Sequence, residues 1–136
     1  MQLIPIEQLP PIRVIPFLWT QLKLRDPKVN ISHKIMPTIH DHVKFIENHP
    51  YQGWYIILQN GKWVGNIYLS QANEIGLHLL PEARGLGIGT QAVKKLMEKY
   101  GKRRYLANIA PSNPGSVNFF MSMGFKLIQH TLELQT

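Results

Sequence analysis

The chain has 136 residues, of which 44% are hydrophobic and 17% charged, with no cysteine and a formal net charge of +7. A chain of this length can bury roughly two thirds of its unfolded surface, so we expect a single domain over residues 1–136 without structural metal ions. The lack of cysteine excludes disulfides, zinc-thiolate sites and a thiol nucleophile. The positive charge predicts an acidic partner, such as nucleic acid, a polyphosphate cofactor or a nucleotide-linked substrate.

The N-terminal third gives weak structural signals. Its apolar start is interrupted by Glu7, Arg13 and several prolines, so we predict neither a signal peptide nor a membrane span and expect a cytoplasmic protein. The predicted elements here are an edge strand at residues 2–6, a helix from Ile15 to Leu24 closed by Asp26-Pro27, and a helix capped by Thr38 that ends at Asn48.

The clearest local signal is a β-hairpin. Two segments rich in β-forming residues, Trp54 to Leu58 and Trp63 to Leu69, flank Asn60-Gly61, the dipeptide typical of a two-residue hairpin turn. This turn predicts three cross-strand pairs: Leu58 with Trp63, Ile57 with Val64, and Ile56 with Gly65.

A glycine-rich loop follows the next strand. Apolar Ile75, Leu77, Leu79 and Leu80 predict a strand that ends at Pro81, because proline cannot donate to a sheet ladder. The loop contains Gly85, Gly87 and Gly89, and an amphipathic helix runs from it to Tyr100. Backbone N–H groups at a helix N-terminus favour an anion, so this loop is predicted to bind phosphate.

Two common phosphate loops do not fit this segment. The dinucleotide fingerprint requires glycine where Thr90 stands, and the triphosphate loop requires Gly-Lys-Ser/Thr, which is absent. Beyond the helix we predict a strand from Tyr105 to Ala110, a helix from Pro114 to Met123 and a last strand near Lys126 to Leu134.

Two motifs carry a family resemblance. Arg84-x-x-Gly87-x-Gly89 resembles the coenzyme A pyrophosphate loop of the GNAT superfamily of N-acetyltransferases, and Asn113-x-x-Ser116 with Gly124-Phe125 resembles a second segment of that superfamily. The resemblance covers about residues 51 to 130 and implies a mixed α/β (α+β) fold. Its mostly antiparallel central sheet would split like a V near Leu80 and Ala110 and be flanked by helices.

The resemblance also implies a division of labour. Residues 51–136 would form the cofactor-binding core, residues 1–50 would supply acceptor-side helices, and acetyl-CoA would lie in the split of the sheet. A backbone N–H of Leu79 or Leu80 would stabilise the oxyanion during direct transfer to an amine. The implied cofactor-binding residues are Leu79, Arg84, Gly85, Leu86, Gly87, Ile88, Gly89, Thr90, Asn113, Ser116 and Phe120.

For the catalytic base we consider Glu74 first, acting through water, and His78 second, since both lie on one face of a strand by parity. Many relatives carry a tyrosine that protonates the thiolate where this chain has Phe120. Water, Tyr105, Tyr68 or no acid at all would then serve. No metal site is predicted, because His40 and His42 do not share a helix face.

The acceptor is the least constrained prediction. Residues Arg25 to Tyr51 would shape specificity, and their basic side chains, including Lys28 and Lys34, suit an anionic acceptor such as a nucleotide-linked amino sugar. Ribosomal-protein N-termini are the nearest competing acceptor. Two other classes stay open: a basic nucleic-acid-binding module and a non-catalytic acyl-CoA sensor. The chain is expected to be a monomer or a homodimer.

Overall fold

The structure, a computed structural model, describes residues 1–25 and 36–136. Its four-stranded sheet has the order β1-β2-β3-β4, with every neighbouring pair antiparallel. This arrangement confirms the predicted mixed α/β fold. The elements are β1 (Gln2–Pro5), α1 (Pro11–Lys23), α2 (Ile39–Glu47), β2 (Tyr51–Gln59), β3 (Lys62–Ser70), β4 (Ile75–Leu79), α3 (Ile88–Tyr100) and α4 (Pro114–Ser122), with short 3₁₀ helices at Ile6–Gln8 and Pro81–Ala83.

The first two helices lie close to their predicted positions. α1 starts at Pro11, earlier than expected, because a proline at the first helical position loses no backbone hydrogen bond. Thr38 caps α2 as predicted, and its hydroxyl accepts from the Asp41 N–H at 3.1 Å. The predicted closure of α1 by Asp26-Pro27 lies outside the described residues.

The hairpin is confirmed, although most of its predicted register is wrong. Asn60 and Gly61 have φ angles of 50° and 77°, which a two-residue primed turn requires. Leu58 pairs with Trp63 as predicted, but the register shifts between Ile57 and Leu58. The shift is a β-bulge that inserts Val64 into β3, as sequence periodicity alone could not show. The observed pairs are Ile57 with Gly65 and Ile56 with Asn66, in place of Ile57 with Val64 and Ile56 with Gly65.

Two further strand predictions are wrong. In place of a strand from Tyr105 to Ala110, the chain makes one isolated parallel bridge, between Leu106 and Glu74, and then leaves β4. The segment from Lys126 to Leu134 forms no strand, and its Leu132 is 92% exposed. Alternating apolar residues favour an extended chain, but a strand forms only where another strand completes its hydrogen bonds.

The sheet separates two apolar cores. On one side, α3 and α4 pack over sheet side chains that include Ile57, Ile67 and Leu69. The helices contribute Ala92, Val93, Leu96 and Phe120 to this core. On the other side, α1 and α2 pack over a cluster that includes Val14, Leu18, Ile46, Trp54 and Ile56. Because side chains alternate between the faces of a strand, the central strands β2 and β3 contribute to both cores.

A chain of buried hydrogen bonds joins α1 to the sheet. The indole N–H of Trp54 donates to Asn66 Oδ1 at 3.0 Å, and Asn66 Nδ2 donates to Gln21 Oε1 at 2.6 Å. Gln21 Nε2 then donates to the His78 carbonyl at 3.3 Å. Buried amides need such partners, so these bonds determine how α1 lies against the end of β4.

Candidate functional site

The strand β4 is paired along one edge and open along much of the other. Alternate residues pair with β3, as the bond from Leu80 N–H to the Val64 carbonyl at 2.9 Å shows. The intervening residues face the opposite edge, where Ile75 N–H donates to the Leu106 carbonyl at 2.8 Å. Past that bridge the neighbouring chain diverges, so an antiparallel ladder places the Leu79 N–H on an edge without a partner strand.

This geometry separates the two backbone groups predicted for the oxyanion. Leu80 N–H is already used inside the sheet. Within the described residues, Leu79 N–H has no partner strand, and the Leu79 carbonyl accepts from Arg84 Nε at 3.3 Å. Leu79 is therefore the candidate we retain, and Arg84 folds back onto the same residue.

The glycine loop presents unpaired donors beside this edge. Gly85 and Gly87 have φ angles of 74° and 78°, and a Cβ atom on either would meet nothing within 4 Å. Gly87 is the N-cap of α3 and no side chain caps the helix. In the described part of the chain, the N–H groups from Ile88 to Thr90 have no protein partner, because the first helical bond runs from Gln91 to Gly87.

Gly89 has a different role in the same loop. A Cβ atom there would lie 3.2 Å from Leu77 Cδ2 and 3.2 Å from Phe119 Cε1, closer than ordinary van der Waals contact. Glycine thus lets the first turn of α3 approach both β4 and α4. The helix N-terminus is held against the open edge of the strand as a result.

The second motif forms a helix cap. Asn113 Oδ1 accepts from the Ser116 N–H at 3.3 Å, and Asn113 Nδ2 donates to Ser116 Oγ at 3.0 Å. The predicted helix start is therefore confirmed. Gly124, with a φ of 97°, follows the C-cap residue Met123 and ends the helix as predicted.

Phe120 lies on the buried side of this helix and points into the core. It is 7% exposed, and its ring centroid is 5.0 Å from that of Phe119 and 5.1 Å from that of Phe125. Of the two tyrosines considered as alternative acids, Tyr105 donates to the Gly101 carbonyl at 2.6 Å, at the far end of α3. Tyr68 lies over Gly76 in β4, and its ring centroid is 6.1 Å from that of His78.

The opposite face of β4 carries a polar and aromatic cluster that we call the Arg25 cluster, made of Arg25, Tyr51, Tyr68 and His78. The Tyr68 ring covers Gly76, where a Cβ atom would collide with it, and its centroid is 6.1 Å from that of His78. Tyr51 stacks on Tyr68 with ring centroids 3.9 Å apart and planes 3° apart. Arg25 Nη1 lies 3.5 Å from His78 Nε2.

Burial determines the protonation states in the Arg25 cluster. Burial first, then the charges of Arg25 and Arg84, lowers the pKa of His78 from 6.5 to about 3. Burial raises the pKa of both Tyr51 and Tyr68, so both keep their hydroxyl protons at neutral pH. Burial lowers the pKa of Arg25, but a guanidinium still remains charged.

Glu74 lies at the other end of β4 from the glycine loop. Its N–H donates to Ser70 Oγ at 2.9 Å, and it forms the bridge with Leu106. Five residues separate it from Leu79, roughly 17 Å along an extended strand. Contact between the Glu74 carboxylate and a group at Leu79 therefore requires intervening water.

The sequence patterns predicted several residues that the structure brings together here, but not the hydrogen bonds and ring contacts that connect them. No prediction singled out Tyr51, Gln21 or Asn66, which meet the site only through sheet pairing and helix packing. A polar residue such as Asn66 inside an apolar strand was the available signal. Across residues 1–25 and 36–136, no three His, Asp or Glu side chains lie together in a group that could hold a metal ion.

Comparison with known families now gives the class of protein. The acetyltransferase (GNAT) family model matches residues 18–125, and the chain belongs to this family. The family resemblance inferred from the two sequence motifs is thereby confirmed. Among curated proteins, no sequence matches the chain. No helix in the described ranges is long and apolar enough to cross a membrane.

Solved structures show the same fold at low sequence identity. An acetyltransferase from Thermus thermophilus has a TM-score of 0.71 at 22% identity, covering 94% of this chain and 88% of that one. A phosphinothricin acetyltransferase from Sinorhizobium meliloti, in complex with acetyl-CoA, has a TM-score of 0.63 at 23% identity, covering 85% of this chain and 69% of that one. A ribosomal-protein-alanine N-acetyltransferase from Brucella melitensis has a TM-score of 0.62 at 20% identity, covering 82% of this chain and 78% of that one.

The protonation state of His78 gives a direct test of the Arg25 cluster. With a pKa of about 3, its ring should stay neutral from pH 8 to about pH 4. The unfolded chain takes up this proton below about pH 6.5, so the stabilising contribution of a neutral His78 is full above that pH and is lost towards pH 3.

Histidine-selective nitrogen NMR measures the titration midpoint of the His78 ring, and the His78→Gln variant assigns its signal. Arg25→Gln should move the midpoint upward, because the second-largest cause of the low pKa is removed. A wild-type midpoint near 6.5 would show that the ring is not buried as described.

Proposed function

We propose that this protein is an N-acetyltransferase that transfers the acetyl group of acetyl-CoA directly to a primary amine. The observation that carries the proposal is the alignment of unpaired backbone donors along one edge of β4: the Leu79 N–H and those of the glycine loop at the start of α3. Family membership supports acetyl transfer from acetyl-CoA.

In this proposal the glycine loop binds the pyrophosphate of the cofactor. The open space at Gly85 and Gly87 lets phosphate oxygens approach the backbone, and the positive end of α3 favours their charge. The other loop residues, Arg84, Leu86, Ile88, Gly89 and Thr90, would line the same site. Asn113 and Ser116 would contact the pantetheine arm, and Phe120 would lie beneath it.

The chemistry requires few groups from the protein. The amine nitrogen forms a bond to the thioester carbonyl carbon, and the amine proton leaves through water to Glu74. The carbon–sulfur bond breaks, and coenzyme A departs as a thiolate that takes a proton from water. Leu79 N–H donates to the developing oxyanion, and Leu80 remains in the sheet. His78, which is a weak base at its low pKa, is the second candidate. Correct positioning can supply about 7 to 11 kcal/mol, so a missing acid at Phe120 is tolerable.

For the acceptor, we propose an anionic small molecule such as a nucleotide-linked amino sugar. The charge of Arg25 beside the end of β4 supports this choice. A protein N-terminus is the alternative, since a structural neighbour acts on a ribosomal protein. A nucleic-acid module would use the basic residues at the end of α3 and just after it, which are Lys99, Lys102, Arg103 and Arg104. It is less favoured, because Arg103 is already bonded to Gln52 and Asn73. The remaining alternative, a non-catalytic acyl-CoA sensor, would bind the cofactor but acetylate no amine.

Thermal unfolding with separate ligands tests the cofactor site. Acetyl-CoA or coenzyme A at a hundred times its dissociation constant should add about 2.7 kcal/mol of stability, whereas ATP, NAD and a DNA duplex should add little. Gly87→Glu should abolish the response, because it places a carboxylate where the pyrophosphate would lie.

Gly61→Glu is the matched control for this substitution. Gly61 has nearly the same φ, 77° against 78°, and equally open space, but lies in the hairpin turn. It should therefore lose similar stability and keep the full response to coenzyme A. An equal response in the folded Gly87→Glu protein would refute the loop assignment, and a response to DNA alone would make the basic surface the functional site.

Glu74→Gln tests the proposed base. With an active acceptor, kcat at neutral pH should fall by about a hundredfold to ten-thousandfold, and the stabilisation by coenzyme A should remain. The loss should shrink at high pH, where the free amine is already neutral. Steady-state rates across pH 6 to 10 measure this, and an unchanged kcat would remove Glu74 from the mechanism.

A further inference from the structure

We propose that the Arg25 cluster binds a carboxylate or phosphate group of the acceptor, with Arg25 as the anchor and Tyr51 and Tyr68 as its supporting wall. This inference rests on the proposed function and names the feature by which the enzyme selects its acceptor. It concerns the face of β4 opposite α3, where no cofactor group is expected.

Arg25 is a half-buried cation without a matching anion in the described part of the chain. None of the carboxylates there forms an ion pair with it, and its polar contact is the ring nitrogen of His78 at 3.5 Å. Since a guanidinium only donates, that contact uses the neutral ring as an acceptor and leaves its other N–H groups available. Burying a charge is costly unless an opposite charge is bound, so this position suits an anionic ligand.

The two tyrosines give the site a fixed shape. Their rings are stacked in parallel at 3.9 Å, and Trp54 packs edge-on against Tyr51 at a centroid distance of 4.9 Å. Gly76 allows Tyr68 to lie directly on β4, because any side chain there would displace the ring. Both phenols remain protonated, and the Tyr51 hydroxyl donates to that of Tyr68, so the pair can offer the Tyr68 O–H as a neutral donor without opposing the charge of Arg25.

The position of His78 limits the size of the acceptor. His78 contacts Arg25, and its neighbour along β4 is Leu79, whose N–H faces the proposed reaction centre. An anionic group at Arg25 and an amine near Leu79 would thus be only a few bonds apart. Amino acids and phosphorylated amino sugars have this spacing, whereas the N-terminal amine of a long peptide has no anionic group fixed beside it.

Three small amines test this chemistry in the full chain saturated with coenzyme A, which fills the glycine loop. O-phosphoethanolamine and β-alanine carry an amine beside a phosphate or a carboxylate, and ethanolamine carries the same amine without an anionic group. Calorimetric titration at constant ionic strength should show binding of at least one anionic probe and much weaker binding of ethanolamine. The stronger of the two anionic probes identifies the group that the site prefers.

Four variants separate the role of Arg25 as the anchor from general charge effects. Arg25→Gln should weaken binding of the anionic probe by at least about tenfold. Arg25→Lys should weaken it by less, because lysine keeps the charge but loses the forked geometry. Arg13→Gln is the matched control: it removes one positive charge from α1 at a residue whose guanidinium lies over Trp63, and it should bind like the wild type. Tyr68→Phe should cause a smaller loss, since its ring and stacking remain.

The results also distinguish this inference from the proposed function. A normal response to coenzyme A together with anion binding that is equal in Arg25→Gln and the wild type would overturn the inference alone. So would absent binding of both anionic probes, or equal affinity for ethanolamine. Loss of the coenzyme A response in the wild type would instead refute the proposed function. With an active acceptor, Arg25→Gln should raise KM for an amine that carries an anionic group more than it raises KM for an amine without one.

Discussion

The hydrogen-bond pattern of β4 is the constraint on which the site depends. An antiparallel strand directs alternate N–H groups to opposite edges, so pairing with β3 satisfies one set and leaves the other for a second neighbour. In the part of the chain that the structure describes, that neighbour meets β4 at Leu106, and past this bridge the Leu79 N–H lies on an open edge. A backbone donor left unpaired at the end of a strand, beside a helix N-terminus, is suited to an oxyanion and to the phosphate groups of a cofactor.

The two faces of the same strand separate the two substrates. On one face Leu77 packs beside Gly89, which holds the cofactor loop against the sheet. On the other face His78 lies beside Arg25, and the buried bonds through Gln21 and Asn66 hold α1 there. One short strand thus supplies a wall for the proposed cofactor, a wall for the proposed acceptor and the donor between them.

The resemblance of two motifs to a known family predicted the fold class. Local signals predicted the hairpin turn, the capped helices and the glycine loop, because each depends on residues close together in the chain. They failed where the outcome depends on distant neighbours. The bulge at Val64 altered the register, and the predicted strands near Leu106 and Lys126 lack the partners that would complete them. The role of Tyr51 follows from stacking on Tyr68, which no local pattern indicates.

The most direct test is amide hydrogen exchange, measured by NMR with and without saturating acetyl-CoA, whose thioester carbonyl would accept from the Leu79 N–H. The account predicts that the amides of Leu79 and of residues 85–90 exchange fast in the free protein and are protected by the cofactor. Leu80 and Ile75, whose N–H groups donate to Val64 and Leu106, should be protected in both states. Equally fast exchange at Leu79 and in the glycine loop with acetyl-CoA bound would contradict the assignment of these donors to the cofactor site.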